Sequence, residues 1–163
     1  MAIRDSDFQE IYVLTKDKKY QDALELLYDE KTGRINEKYR SDENHAWYLI
    51  ADLFYKAGNI KEAKAAFIMA ITIWEGDIDA YIGLSNILNQ QKEYKEASLV
   101  LKKGLSISHD ERLIYNFANN LFDQGFFKEA IFQYEKISKK NHSLYNLALK
   151  NIKKAKKNMK TKK

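Results

Sequence analysis

The chain has no cysteine, which excludes a disulfide framework, a thiolate zinc site and a thiol nucleophile. Reducing cytoplasm is the expected compartment. There is no proline and there are only six glycines in 163 residues. That excludes a fold built on many tight turns and favours helices joined by short polar loops; strand signals are correspondingly poor. No stretch approaches the roughly 18 uncharged apolar residues of a membrane span. The opening MAIRDSDFQEIY carries charges at Arg4, Asp5, Asp7 and Glu10 where a secretory segment needs an apolar run, so the expectation is a soluble, retained protein.

Zincin, dinucleotide-fingerprint, phosphate-loop and nucleophile-elbow motifs are all missing from the sequence. The three histidines, His45, His109 and His142, are not spaced for a shared metal and read as loop or helix-start residues. No side chain is left to carry catalysis, so the expectation is a non-enzyme without cofactor or metal. Acidic residues are missing from one end only. Ten lysines lie between Lys139 and Lys163 with no carboxylate among them. The formal charge of +5 therefore hides −5 over residues 1–138 and +10 beyond.

What is present is a 45% apolar, 31% charged composition, ordinary for one globular domain, and an internal period. Small residues recur in Tyr20-x-x-Ala23, Ile60-x-x-Ala63, Tyr94-x-x-Ala97 and Phe127-x-x-Ala130, at spacings of 40, 34 and 33 residues. Sixteen residues before each of the last three alanines stands Trp47, Tyr81 or Ile114. Ile50, Leu84 or Phe117 follows, then a small residue (Ala51, Ser85, Ala118), then Phe54, Leu88 or Leu121. Steps of three and four mark one face of a helix. Polar breaks such as KAGN and DQGF follow, with Gly58 and Gly125 where a left-handed cap is wanted. A second helix then carries Ala63, Phe67 and Ala70, or Ala97, Leu101 and Gly104, or Ala130, Tyr134 and Ile137. Small residues there let two helix axes approach closely.

This pattern resembles the tetratricopeptide repeat, W-x2-L-G-x2-Y followed by A-x3-F-x2-A. AWYLIADLFYKAGNIKEAKAAFIMA fills the seven slots with Trp47, Ile50, Ala51, Phe54, Ala63, Phe67 and Ala70. The proline that usually closes a repeat is missing, with Glu75 and His109 near its place. The resemblance implies an all-α, right-handed solenoid of about four helix pairs plus a C-terminal capping helix. The expected tetratricopeptide domain covers 1–152: a degenerate first pair at 3–30, a connector at 31–43 with a surface excursion around Thr32 and Gly33, and repeats at 44–77, 78–110 and 111–140. A capping helix is expected at 142–157, with Leu144, Leu147, Ala148 and Ile152 covering the last repeat, and residues 153–163 form a Lys-rich tail.

The resemblance further implies a concave groove lined by the first helices of successive pairs. Once the signature residues are assigned to the seam, the groove side keeps Tyr48, Asp52 and Tyr55 on the second pair, Asn86 and Asn89 on the third, and Tyr115, Asn119 and Phe122 on the fourth. Tyrosine and asparagine dominate this set. Aromatic rings give contact area at low entropic cost, and amides bond both backbone groups of an extended peptide. The alternative is that the tyrosines pack between neighbouring repeats. Some tetratricopeptide domains clamp acidic chaperone tails with lysine, arginine and asparagine; here the groove side carries Asp52 and Asp79, and only Lys56 and Arg112 are basic. A neutral or apolar-anchored segment is the better fit.

The expected function is a protein-protein interaction module or adaptor. A narrower form is a cytosolic chaperone for a translocator-type protein, as in bacterial type III secretion. The rival from another class is contact with nucleic acid or an anionic membrane through Lys153, Lys154, Lys156, Lys157 and Lys160. A bland reading of the same lysines is a solvated, fraying helix end favoured by the helix dipole. Homo-oligomerisation through incompletely capped ends is the remaining partner expectation.

Overall fold

The computed structural model describes residues 7–161. Residues 1–6 and 162–163, which include the start of the expected first pair and the last two lysines of the expected tail, lie outside them. Helices α1 (Gln9–Lys16) and α2 (Tyr20–Leu27) form the first pair. They are followed by a two-residue ribbon, β1 (Tyr28–Asp29) against β2 (Arg34–Ile35), and a 3-10 helix at Glu37–Asp42. Then come α3 (Glu43–Lys56), α4 (Ile60–Ile73), α5 (Ile78–Gln90), α6 (Tyr94–Ile107), α7 (Glu111–Asp123), α8 (Phe127–Tyr134) and α9 (His142–Thr161). The ribbon is antiparallel with Tyr28 opposite Ile35. Its turn sits at the excursion around Thr32 and Gly33, closed by the Asp29 carboxylate, which accepts from the Lys31 N–H at 2.9 Å and the Thr32 hydroxyl at 2.9 Å.

The chain divides into two compact units, Met1–Ala80 and Tyr81–Lys163. In the first, Ile11, Ala23, Leu24, Leu27, Ile50, Ala51, Ala63 and Ala70 are all at most 1% exposed. Asp77 anchors the entry to α5: it accepts from the Ala80 N–H at 2.9 Å and from Asn44 Nδ2 at 3.0 Å. In the second unit Tyr81, Ser85, Ala97, Leu101, Leu113, Ala118, Ala130 and Tyr134 are equally buried. The small residues mark close crossings. A Cβ on Gly104 would lie 3.1 Å from Leu113 and 3.2 Å from the Tyr81 ring, tighter than packing tolerates without displacement.

The turn inside each pair has one conformation. Lys18, Gly58, Lys92 and Gly125 all have positive φ, at 61°, 86°, 61° and 83°. In each case the following N–H reaches back five residues: Lys19 to Leu14, Asn59 to Phe54, Glu93 to Leu88 and Phe126 to Leu121, at 2.8 to 2.9 Å. This is the Schellman closure, which satisfies carbonyls that the helix end leaves open. Glycine supplies it at two turns and lysine at the other two.

The capping helix α9 buries Ala148, Ile152 and Ala155, a row at steps of four and three. Leu144 packs against this cluster as expected. Leu147 does not: it is 46% exposed, because it lies about 100° around α9 from Ala148 and about 140° from Ile152, on the helix's flank.

Candidate binding surface

On α3 the core face is taken by Leu49, Ile50, Leu53 and Phe54. The helix starts at Asp42, whose carboxylate accepts from the His45 N–H. His45, Tyr48, Asp52 and Tyr55 follow at steps of three, four and three on another face, all half-buried. The His45 ring stacks near Tyr48 with centroids 6.1 Å apart and 19° between planes. The Tyr12 hydroxyl meets His45 Nε2 at 2.7 Å, and the Phe8 ring stands perpendicular to the same imidazole with centroids 4.9 Å apart. Tyr48 also leans on Phe67 at 6.0 Å. Asp52 is ion-paired to Lys56 one turn on. The stripe is therefore aromatic with its one carboxylate already neutralised. Tyr12 and His45 belong to it although they were not among the expected site residues. The signal for His45 was its place three residues before Tyr48 on one helix; for Tyr12, on a different pair, there was none.

In the second unit the expected residues separate. Asn86 on α5 is exposed. Asn89 is half-buried, and its Oδ1 accepts from Asn120 Nδ2 at 2.7 Å. Asn120, absent from the expected set, is fully buried. Its Nδ2 also donates to the Tyr94 carbonyl at 3.0 Å, while its Oδ1 accepts from Ser98 Oγ and from Gln124 Nε2. Both donors and both lone pairs of the amide are used.

Tyr115, Asn119 and Phe122 face α9 or its packing cluster. Asn151 Nδ2 lies 3.1 Å from Tyr115 Oη and 3.1 Å from Asn119 Oδ1, and the Tyr134 hydroxyl donates to the same Asn119 oxygen. Burial at this junction pushes the Tyr134 phenol well above its ordinary range, since the phenolate would be stripped of water. Phe122 sets its ring 5.2 Å from Phe127 and packs against the cluster that contains Ala148 and Ile152. Of the eight expected residues, then, Tyr48, Asp52 and Tyr55 form one stripe and Asn86 is open to solvent. Asn89, Tyr115, Asn119 and Phe122 are engaged within their own unit.

Among the described residues no group of histidines and carboxylates could hold a metal ion, and no helix is long and apolar enough to cross a membrane. Helical hairpins recurring at 33 to 34 residues, each with a small residue at its crossing and a left-handed turn, define an all-α hairpin-repeat protein. Residues 45–73 and 78–110 match the tetratricopeptide repeat family. No curated protein matches significantly in sequence. Among solved structures, YrrB, described as a TPR protein with an unusual peptide-binding site, is similar with a TM-score of 0.64 and 17% identity, covering 94% of this chain and 82% of its own. MamA from Desulfovibrio magneticus RS-1, residue 41 to the end, is similar with a TM-score of 0.64 and 15% identity, covering 99% and 98% of the two chains. A further MamA crystal structure has a TM-score of 0.59 and 18% identity, covering 98% and 80%. At such identities the likeness is one of fold.

Proposed function

We propose that the protein is a non-catalytic interaction module that holds a peptide segment or partner protein on the first-helix faces of its repeats. The observation that carries this reading is the half-buried stripe Tyr48, Asp52 and Tyr55 on α3, with His45 and Tyr12 beside it. Rings held by neighbours lose little freedom on binding, and a carboxylate paired with Lys56 leaves no strong field to demand a charged ligand. In the second unit, by itself, exposed Asn86 offers an amide for backbone bonding. Asn89, Tyr115, Asn119 and Phe122 are taken up inside the second unit, the last three holding the cap in place. Tetratricopeptide repeats are interaction scaffolds as a family, and YrrB's description as peptide-binding supports the same use here.

The ligand that fits is near-neutral and anchored by apolar side chains. A photo-crosslinking residue at Tyr55 in the full chain captures the occupant of this face. The affinity of that captured partner for the Tyr48→Ala and Tyr55→Ala variants then decides the matter. The expected loss is about 1 to 3 kcal/mol for a central aromatic anchor; unchanged affinity in both variants overturns the proposal. The narrower chaperone role predicts that co-expression keeps a hydrophobic secreted protein in solution, and that the same two substitutions abolish this.

A further inference from the structure

Helix α9 has a second face. Lys150, Lys153, Lys154, Lys157 and Lys160 follow one another at i, i+3, i+4, i+7 and i+10, opposite the buried row Ala148, Ile152 and Ala155. With Lys156 at the margin, they surround a shallow open hollow of about 510 Å³. All six are exposed, and they fall within 11 residues, roughly 16 Å of helix axis. No acidic residue follows Glu135 in the chain.

A merely solvated helix face mixes charge signs, as the first turn of α6 does with Lys95 and Glu96. Lysines three and four apart repel one another and oppose the helix they stand on. The helix dipole favours cations only within the last turn, and Lys150, Lys153 and Lys154 lie upstream of it in a helix that runs to Thr161. A dense anionic surface against this face removes the repulsion.

We propose that the lysine face of α9 docks on an anionic lipid bilayer. Two features favour lipid over nucleic acid. The face contains lysine alone, with no arginine fork for phosphate or base edges and no ring on which a base could stack. Leu147 and Leu149, 46% and 45% exposed, flank it on either side one turn upstream. Leucines and lysine stems enter the boundary between headgroups and acyl chains while the ammonium groups stay among lipid phosphates. The apolar row of α9 is already spent inside the protein, so the helix docks without leaving its unit. The contact is peripheral, reversible and screened by salt.

The test uses the full chain, treated with nuclease, in co-sedimentation with neutral phosphatidylcholine vesicles and with vesicles containing about 30% phosphatidylserine, a level that gives a strongly negative surface. Binding to the anionic vesicles alone is expected, falling steeply as salt is raised. Replacing Lys150, Lys153, Lys154 and Lys157 with glutamine reduces partitioning by at least about tenfold, since each lysine near the surface contributes to it. The pair Leu147→Ser and Leu149→Ser reduces it several-fold while leaving affinity for a duplex DNA unchanged. Far-UV circular dichroism checks that α9 remains helical, and the salt titration of the unaltered chain tests the electrostatic origin with no substitution at all. No sedimentation with anionic vesicles at low salt, equal binding to neutral ones, or tighter binding to DNA than to anionic vesicles overturns the proposal.

Discussion

Asn151 reaches back 32 residues to Asn119, its Nδ2 donating to the Asn119 side-chain oxygen Oδ1 at 3.1 Å, and in doing so ties the capping helix to the last repeat. The same nitrogen lies within 3.1 Å of Tyr115 Oη and 3.3 Å of Tyr134 Oη. One amide thus organises three polar groups at a junction that is otherwise apolar. Asn151→Ala is expected to lower unfolding free energy by about 1 kcal/mol, since Asn119 still has the Tyr134 hydroxyl as a donor. A double-mutant cycle with Asn119→Ala, followed by urea denaturation, should give a coupling of at least about 0.5 kcal/mol. Strict additivity would mean that the two side chains do not act together.

Asn120 is a deeper commitment. Its four partners, Asn89, Tyr94, Ser98 and Gln124, leave no amide atom idle, and the residue is fully buried. Asn120→Ala takes a partner from the side chains of Asn89, Ser98 and Gln124 in a site largely shut off from water, at an expected cost of about 1 to 3 kcal/mol. Asn120→Leu restores the apolar residue that Leu53 and Ile87 supply at the matching places of the preceding repeats, yet leaves the same partners unsatisfied. Both variants should melt below the parent. A leucine variant as stable as the parent would show the network to be replaceable by packing.

The turns give a paired test. Gly58 at φ 86° has no atom within 4 Å of where a Cβ would stand, so Gly58→Ala meets only backbone strain, about 1 kcal/mol of lost stability. Lys92 already bears that strain at φ 61°, and Lys92→Gly is expected to raise stability by up to about 1 kcal/mol, less the added freedom of the unfolded chain. Chemical denaturation midpoints should move in opposite directions for the two substitutions.

Much of this architecture is legible in the sequence because two periods coincide. The small residues at Ala63, Ala97 and Ala130 fix the crossings, and the large ones at Ile50, Leu84 and Phe117 fix the face that meets them; all are buried. Asn120 was missed, although it is a polar residue in a slot filled by Leu53 and Ile87. What the pattern does not carry is occupancy. Tyr115 and Asn119 share the register of a binding face, but α9 supplies Asn151 to that register, and nothing in a 34-residue period tells whether a face meets a ligand or the chain's own cap. Lys18 and Lys92 were opaque for a different reason: positive φ is announced by glycine, and lysine adopts it here only because the repeat closes its turn that way. Leu147 shows the limit of pattern reading, since it was expected to cover the last repeat beside Leu144 and Ala148 and is left outside.

The acid side of the stability curve follows from Asp110. Its carboxylate begins α7, accepting from the Arg112 N–H at 2.8 Å and from the Arg112 guanidinium at 2.8 to 3.2 Å. The Arg112 side chain holds the Asp110 carboxyl below the ordinary carboxylate range, the backbone bond adding to it and partial burial opposing it. A folded-state value below the unfolded one means that the unfolded chain binds the proton first as pH falls. The stabilisation is therefore complete above the unfolded value of 3.8 and drains away as pH drops through the lower folded value. Because the Arg112 side chain is 48% exposed, solvent screens the pair and its worth at neutral pH is at most about 1 kcal/mol. Asp110→Asn keeps a capping side chain and removes only the charge. The expected result is a lower urea midpoint than the parent at pH 7, with the gap closing near pH 2 and shrinking at high salt. A gap that stays constant down to pH 2 would assign the effect to the cap's hydrogen bond and not to its charge.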